Sequence, residues 1–130
     1  MHGNRDILVG EHFAKRAGMQ LIADPTVVNL GGVRTVLAHG EALYTEQIQY
    51  QTFRRIARTP AWQAQILALP LADRRILGRT MRNKSIEVQR EQAAAGAPFV
   101  DVNEAACAAL VDSLAGARLI HGHTHQPATH

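Results

Sequence analysis

The sequence predicts an α/β protein, and three observations carry that expectation. Short runs of β-branched and aliphatic residues bounded by Gly and Pro stand at Thr26 to Leu30 and Val33 to Ala38. Helical signals fill the middle of the chain, from Thr45 to about Gln92. A last apolar pair, Leu119-Ile120, follows a further helix and closes a short strand. Strands with a helical block inserted between them are the element order of an α/β sheet, and 130 residues suit one domain.

Each element has a local reason. Met1 to Asp6 reads as a loop. Glu11 to Ala17 forms a short helix stopped by Gly18. Met19 to Ile22 and Thr26 to Leu30 are expected as strands separated by Asp24-Pro25, and Gly31-Gly32 makes a tight turn into the strand Val33 to Ala38. Thr45 is the expected cap of a helix from Glu46 to Arg58. Thr59-Pro60 restarts the helix, Pro70 interrupts it, and a charged helix follows from Leu71 to about Gln92. Ala93 to Pro98 is a small-residue linker. Asp101 and Glu104 have the spacing of a capping box for a helix from Ala105 to Leu114, ended by Gly116.

Composition excludes several classes. Hydrophobic residues are 46% and charged residues 19%, which supports a packed core and excludes wholesale disorder. The longest run without Asp, Glu, Lys or Arg is Thr59 to Ala72, 14 residues with two prolines. That is short of the roughly 18 needed to span a bilayer. The single Cys107 excludes an internal disulfide, and no signal peptide precedes the first glycine. These are the features of a soluble cytoplasmic chain. The net charge of +3 is uneven, with nine basic residues against Asp73 and Glu87 between Arg54 and Arg90. Such a block is either a solvated helix face or a surface for an anionic partner. Only Phe53, at its edge, and Trp62 accompany it, so nucleic acid is not an expected partner.

Three loops hold residues that can carry chemistry: Gly3-Asn4-Arg5-Asp6, His39-Gly40-Glu41, and His121-Gly122-His123-Thr124-His125. The second and third lie just beyond strands, where open α/β sheets bind ligands. Imidazole and amide or carboxylate oxygens suit a borderline divalent ion such as Mn²⁺. Taken singly, His39 is also explained as a hydrogen-bonded surface residue and Asn4 as a turn residue. Cys107, in a run of alanines, reads as a small core residue. No Ser-His-Asp arrangement, P-loop or Cys-x-x-Cys zinc site is present.

Together these loops resemble the calcineurin-like metallophosphoesterases, which carry a Gly-Asn-His-Asp/Glu motif, a later His and a Gly-His-x-His motif. The arginine in Gly3-Asn4-Arg5-Asp6 narrows the match. His2 to Asp6, His39 to Glu41, Asp101 to Asn103 and Ile120 to Pro127 resemble the UDP-2,3-diacylglucosamine hydrolase family, with Arg82, Ser85 and Leu67 to Pro70 in keeping. The resemblance implies a partial metallophosphoesterase sheet-and-helix sandwich over residues 1–130, with a helical insertion at about 45–95. It implies hydrolysis of UDP-2,3-diacylglucosamine to UMP and the acylated sugar 1-phosphate (lipid X) of lipid A synthesis, with two metals, usually Mn²⁺, activating the attacking water. The expected location is the cytoplasmic face of the inner membrane, peripherally, on acidic lipid.

By motif position, the resemblance makes Asn4, His39 and His123 ligands of one metal and His125 a ligand of the other. Asn4, Arg5, Ser85 and His123 are implied as substrate contacts. Arg5 stands where the wider superfamily has an acid histidine. A guanidinium grips phosphate oxygens but does not readily give up a proton, so its expected catalytic role is charge stabilisation. Trp62, Ile66, Leu67 and Leu69 supply either an acyl-chain pocket or the insertion's own core. Gln47 replaces a substrate-binding Asp beside Glu46, and an insertion lysine is absent near Gln89 and Gln92. The Asp-x-His and Gly-Asp-x-x-Asp motifs have no counterpart. The chain is therefore expected to be a fragment, or a gene model begun at an internal Met, and inactive alone. A phosphoesterase of another nucleotide diphosphate and a non-catalytic metal-binding remnant remain the alternatives.

Overall fold

A computed structural model describes residues 1–97 and 100–129. Strand β1 (Thr26–Leu30) pairs antiparallel with β2 (Val33–Ala38), which pairs parallel with β3 (Arg118–His121), so β2 is central in a three-stranded sheet. The helices are α1 (Glu11–Arg16), α2 (Ile48–Ala57), α3 (Pro60–Ala68), α4 (Leu71–Ala94) and α5 (Glu104–Ser113), with a 3₁₀ turn at Glu41–Leu43. The α/β expectation holds. The chain divides into two units, Met1–Arg55 with Asp101–His130, and Ile56–Val100. Pro98 of the expected linker lies outside the described residues.

The β1–β2 hairpin forms where the turn chemistry places it. Gly31 and Gly32 both adopt positive φ (60° and 84°), the two-residue turn that matches strand twist, and the Gly32 N–H donates to Asn29 Oδ1 at 2.8 Å. The core of this unit sits on β2. Val36 and Thr35 are fully buried, and Ala38, Leu43, Val102 and Ala14 join them. Burying Val36 alone is worth about 1.5–3 kcal/mol. Arg34 ties the end of α5 to the sheet, donating from Nε and Nη2 to the Leu114 carbonyl at 3.2 and 3.1 Å.

Three local expectations are corrected. Met19 to Ile22 is not a strand; among the described residues it has no ladder partner, and apolar character alone does not make one. Helix α2 begins at Ile48, not after Thr45, because residues 41–43 close a 3₁₀ turn first and Thr45-Glu46 turn beyond it. The cap of α5 is Asn103, whose Oδ1 accepts from the Ala106 N–H at 2.9 Å. Asp101 instead accepts from the adjacent Val102 N–H. Thr59 does cap α3 as expected, accepting from the Trp62 N–H at 3.2 Å with Pro60 in the first turn.

Parallel pairing of β2 with β3 decides where the loops go. Ala38 is opposite His121, and the Gly122 N–H extends the ladder by donating to the His39 carbonyl at 3.0 Å. Gly40 turns the chain away at φ 102°, so close to the neighbouring loop that a Cβ would lie 2.6 Å from the Gly122 carbonyl oxygen. Gly40→Ala is therefore predicted to destabilise the protein by about 1–3 kcal/mol. Gly78→Ala, in open space within α4, is predicted to stabilise it by about 0.5–1 kcal/mol. Denaturant unfolding of both variants is the check.

Candidate functional site

The carboxyl ends of β2 and β3 bring together two histidines 84 positions apart in sequence. The His39 and His123 rings meet edge to face with centroids 5.3 Å apart. Among the described residues, neither Nδ1 has a hydrogen-bond partner, although both are buried. The Nε2 edge of His39 abuts the first loop, since a Cβ on Gly3 would lie 2.8 Å from it. That contact places the Asn4 segment beside the strand-end loops.

His123 is held by aromatic neighbours. The Tyr44 ring stands edge-on at 5.3 Å and the Tyr50 ring tilts against it at 5.5 Å. His123 and His125 both occupy the left-handed backbone region, at φ 79° and 59°, where non-glycine residues are uncommon and persist only under surrounding constraint. Burial pushes the His123 imidazole below its ordinary pKa. His39 and His125 add to the depression, and Glu41 opposes it. The neutral ring this favours at neutral pH is the form that ligates a metal.

Beneath the two rings lies a carboxylate. Glu41 is 1% exposed. Its Oε2 accepts from the Tyr50 hydroxyl at 2.8 Å and lies 3.7 Å from His39 Nδ1, while Oε1 accepts from Arg54 Nε at 3.0 Å. Gln51 donates to the Glu41 and Tyr44 carbonyls at 2.7 and 2.9 Å, fastening the 3₁₀ turn to α2. Below, Asp24 Oδ1 accepts from the His39 backbone N–H at 3.0 Å. The roles of Glu41, Tyr44 and Tyr50 were not part of the expected set. A sequence signal exists for two of their partners: Tyr50 and Arg54 are one helical turn apart and share a face of α2.

The expected site residues fall into three groups. His39 and His123 are assembled. Asn4, Arg5 and His125 are exposed in the adjoining loops, with His125 close enough to His123 to act on it electrostatically. Ser85 is exposed on α4, in the other unit. The donor chemistry, two adjoining imidazoles with the Nε2 edge of His39 turned to an amide-bearing loop, fits part of a borderline-dication site. Among the described residues, no three His, Cys, Asp or Glu side chains gather into a full metal cage.

Cys107 is a free, half-buried thiol with none of the electropositive surroundings that activate a nucleophile. Burial pushes its thiol above the ordinary value, and the Asp101 and Glu104 carboxylates push it further. Its alkylation by iodoacetamide is predicted to be slow at pH 7.5 and still rising with pH above 9. A rate that levels off below pH 8 would contradict this.

No protein-family model matches the chain. Curated relatives match it from end to end. The UDP-2,3-diacylglucosamine hydrolase of Chromohalobacter salexigens is 45% identical over 130 residues, all of this chain and 52% of the relative. The proteins of the same name from Aeromonas hydrophila and Chromobacterium violaceum are 45% and 43% identical over 130 residues, covering 53% and 54% of their lengths. The chain thus spans about half the length of the curated relatives it matches, and over all of its own length it is a homologue of proteins named UDP-2,3-diacylglucosamine hydrolase.

Proposed function

We propose that this chain carries the strand-end histidines and phosphate-facing arginine of a UDP-2,3-diacylglucosamine hydrolase with a metallophosphoesterase fold, acting in lipid A synthesis. The observation that carries the reading is the pairing of His39 with His123 beside the Gly3-Asn4-Arg5 loop. Water adds to the α-phosphorus, the bond to the bridging oxygen breaks, and UMP and lipid X separate. A bound dication, expected to be Mn²⁺, would supply the charge that activates water and stabilises the phosphate oxygens. His39 and His123, with Asn4, are the residues that would hold it, and His125 would face a second one. Arg5, exposed at the loop tip, grips phosphate oxygens and offsets the charge that builds on them.

The helices of Ile56–Val100 are assigned the lipid end of the substrate and the acidic inner-membrane surface. Exposure supports this over a purely internal role: Leu67 and Leu69 are 48% and 37% exposed, and Leu71 and Ile76 more so. Arg75, Arg79 and Arg82 are exposed on α4 beside the half-buried Arg74. Among the described residues, no helix is long and apolar enough to cross a membrane. Ser85, exposed on the same helix, is assigned a substrate contact.

Three measurements test these assignments. In calorimetric titration, Mn²⁺ affinity is predicted to fall at least tenfold in the His39→Ala, His123→Ala double variant; equal affinity removes both residues from the site. Binding to vesicles containing anionic lipid should weaken steeply with added salt, because surface attraction of this kind is screened within about 8 Å at physiological ionic strength. Salt-independent binding contradicts the assignment of α4. The third concerns catalysis. The 130 residues alone are predicted to release no UMP, because no full metal cage gathers among the described residues. Exchanged for the matching half of the Chromohalobacter relative, they should support Mn²⁺-dependent release, which Arg5→Ala lowers by about 10²–10³. An inactive but folded exchange protein, or unaided turnover by the chain, would refute the reading.

A further inference from the structure

Glu41 is a buried carboxylate with no place in the proposed chemistry, yet its side chain meets Tyr50 and Arg54 and stands beside His39. Its Oε2 is shared between the Tyr50 hydroxyl, at 2.8 Å, and the Nδ1 edge of His39, at 3.7 Å. Arg54 secures the other oxygen at 3.0 Å. The Tyr50 ring, with its hydroxyl anchored this way, packs on the ring of His123. One carboxylate therefore stands directly beside one histidine and reaches the ring of the other through a tyrosine.

We propose that Glu41 is a positioning residue for both imidazoles. At 3.7 Å from Nδ1 the carboxylate does not hydrogen-bond the ring, but its charge favours the tautomer with the proton on Nδ1. That leaves the lone pair on Nε2, the edge that abuts Gly3 and the Asn4 loop. Where a ligating histidine's far nitrogen donates to a carboxylate, ring orientation is fixed and ligand basicity raised; Glu41 stands on that side of His39, 3.7 Å away. Arg54 balances the buried charge and holds the carboxylate in place. Tyr50 carries the constraint to His123, whose left-handed backbone needs such a seat. This inference rests on the proposed function only in assigning a metal to Nε2; the orienting role concerns the metal-free chain.

The test uses ¹⁵N-histidine-labelled, metal-free protein at pH 8, where long-range proton–nitrogen spectra report each ring's tautomer. In the unaltered chain His39 should be predominantly protonated on Nδ1. Glu41→Gln should shift His39 towards the tautomer ratio of free imidazole, and Glu41→Asp, which keeps the charge, should recover part of the preference. Tyr50→Phe should leave the His39 tautomer unchanged while displacing the His123 ring resonances. An unchanged His39 tautomer in Glu41→Gln, or unmoved His123 resonances in Tyr50→Phe, overturns the proposal. Should Glu41→Gln not fold, the unaltered chain and Tyr50→Phe still decide the matter: a His39 protonated mainly on Nε2 in the unaltered chain, or unmoved His123 resonances in Tyr50→Phe, overturns the proposal. Calorimetry with Mn²⁺ adds a second readout: affinity should drop about 10–100-fold in Glu41→Gln. A tautomer shift in a chain that binds no Mn²⁺ would uphold the orienting role and sink the proposed function instead.

Discussion

The site depends on a charge taken out of water. A buried carboxylate is costly unless its oxygens are paired and hydrogen-bonded, and Glu41 meets that condition with Arg54 on one oxygen and Tyr50 on the other. Removing one partner of such a pair leaves an uncompensated charge, at a cost of about 3–5 kcal/mol. The first two turns of α2, the 3₁₀ turn and the end of β2 are consequently locked to each other. Gln51 adds two hydrogen bonds to carbonyls of the same turn, and the Asn103 N–H donates to Leu43 at 2.8 Å, drawing the start of α5 into the same cluster.

A second constraint is topological. Antiparallel pairing puts the hairpin turn at one end of β1 and β2, whereas parallel pairing puts the carboxyl ends of β2 and β3 side by side. Two loops distant in sequence therefore emerge together, with only a glycine's width between them at Gly40. This is the geometry in which open sheets build binding sites, and here it yields two imidazoles in contact. The His123 residue, with its backbone at positive φ, has its ring in contact with those of His39, Tyr44 and Tyr50.

Much of this was legible in the sequence where local chemistry decides the outcome. The Gly31-Gly32 turn, the strands on either side of it, the Thr59-Pro60 helix start and the final strand all follow from residues within a few positions of one another. The loops that carry His39 and His123 were legible too, because glycines and histidines at strand ends are conspicuous. Elements that depend on a distant partner were not. Met19 to Ile22 has strand-like residues but no neighbour to pair with among the described residues. Asn103 displaced Asp101 as a cap by one hydrogen bond. The burial of Glu41 was invisible, since a Glu after a strand reads as solvated, and only the folded turn sets it under Tyr50 and Arg54.

The central claim is that the strand ends and the Glu41–Tyr50 pair bring four rings into one cluster before any metal or substrate arrives. Nuclear Overhauser contacts among the ring protons of His39, Tyr44, Tyr50 and His123 in the metal-free chain test it most directly. Centroid separations of 5.3 to 5.5 Å around His123 predict cross-peaks from its ring to each of the other three. Strong cross-strand contacts between Val27 and Val36 with no His123 cross-peaks would show a folded sheet lacking the cluster, and would contradict the account.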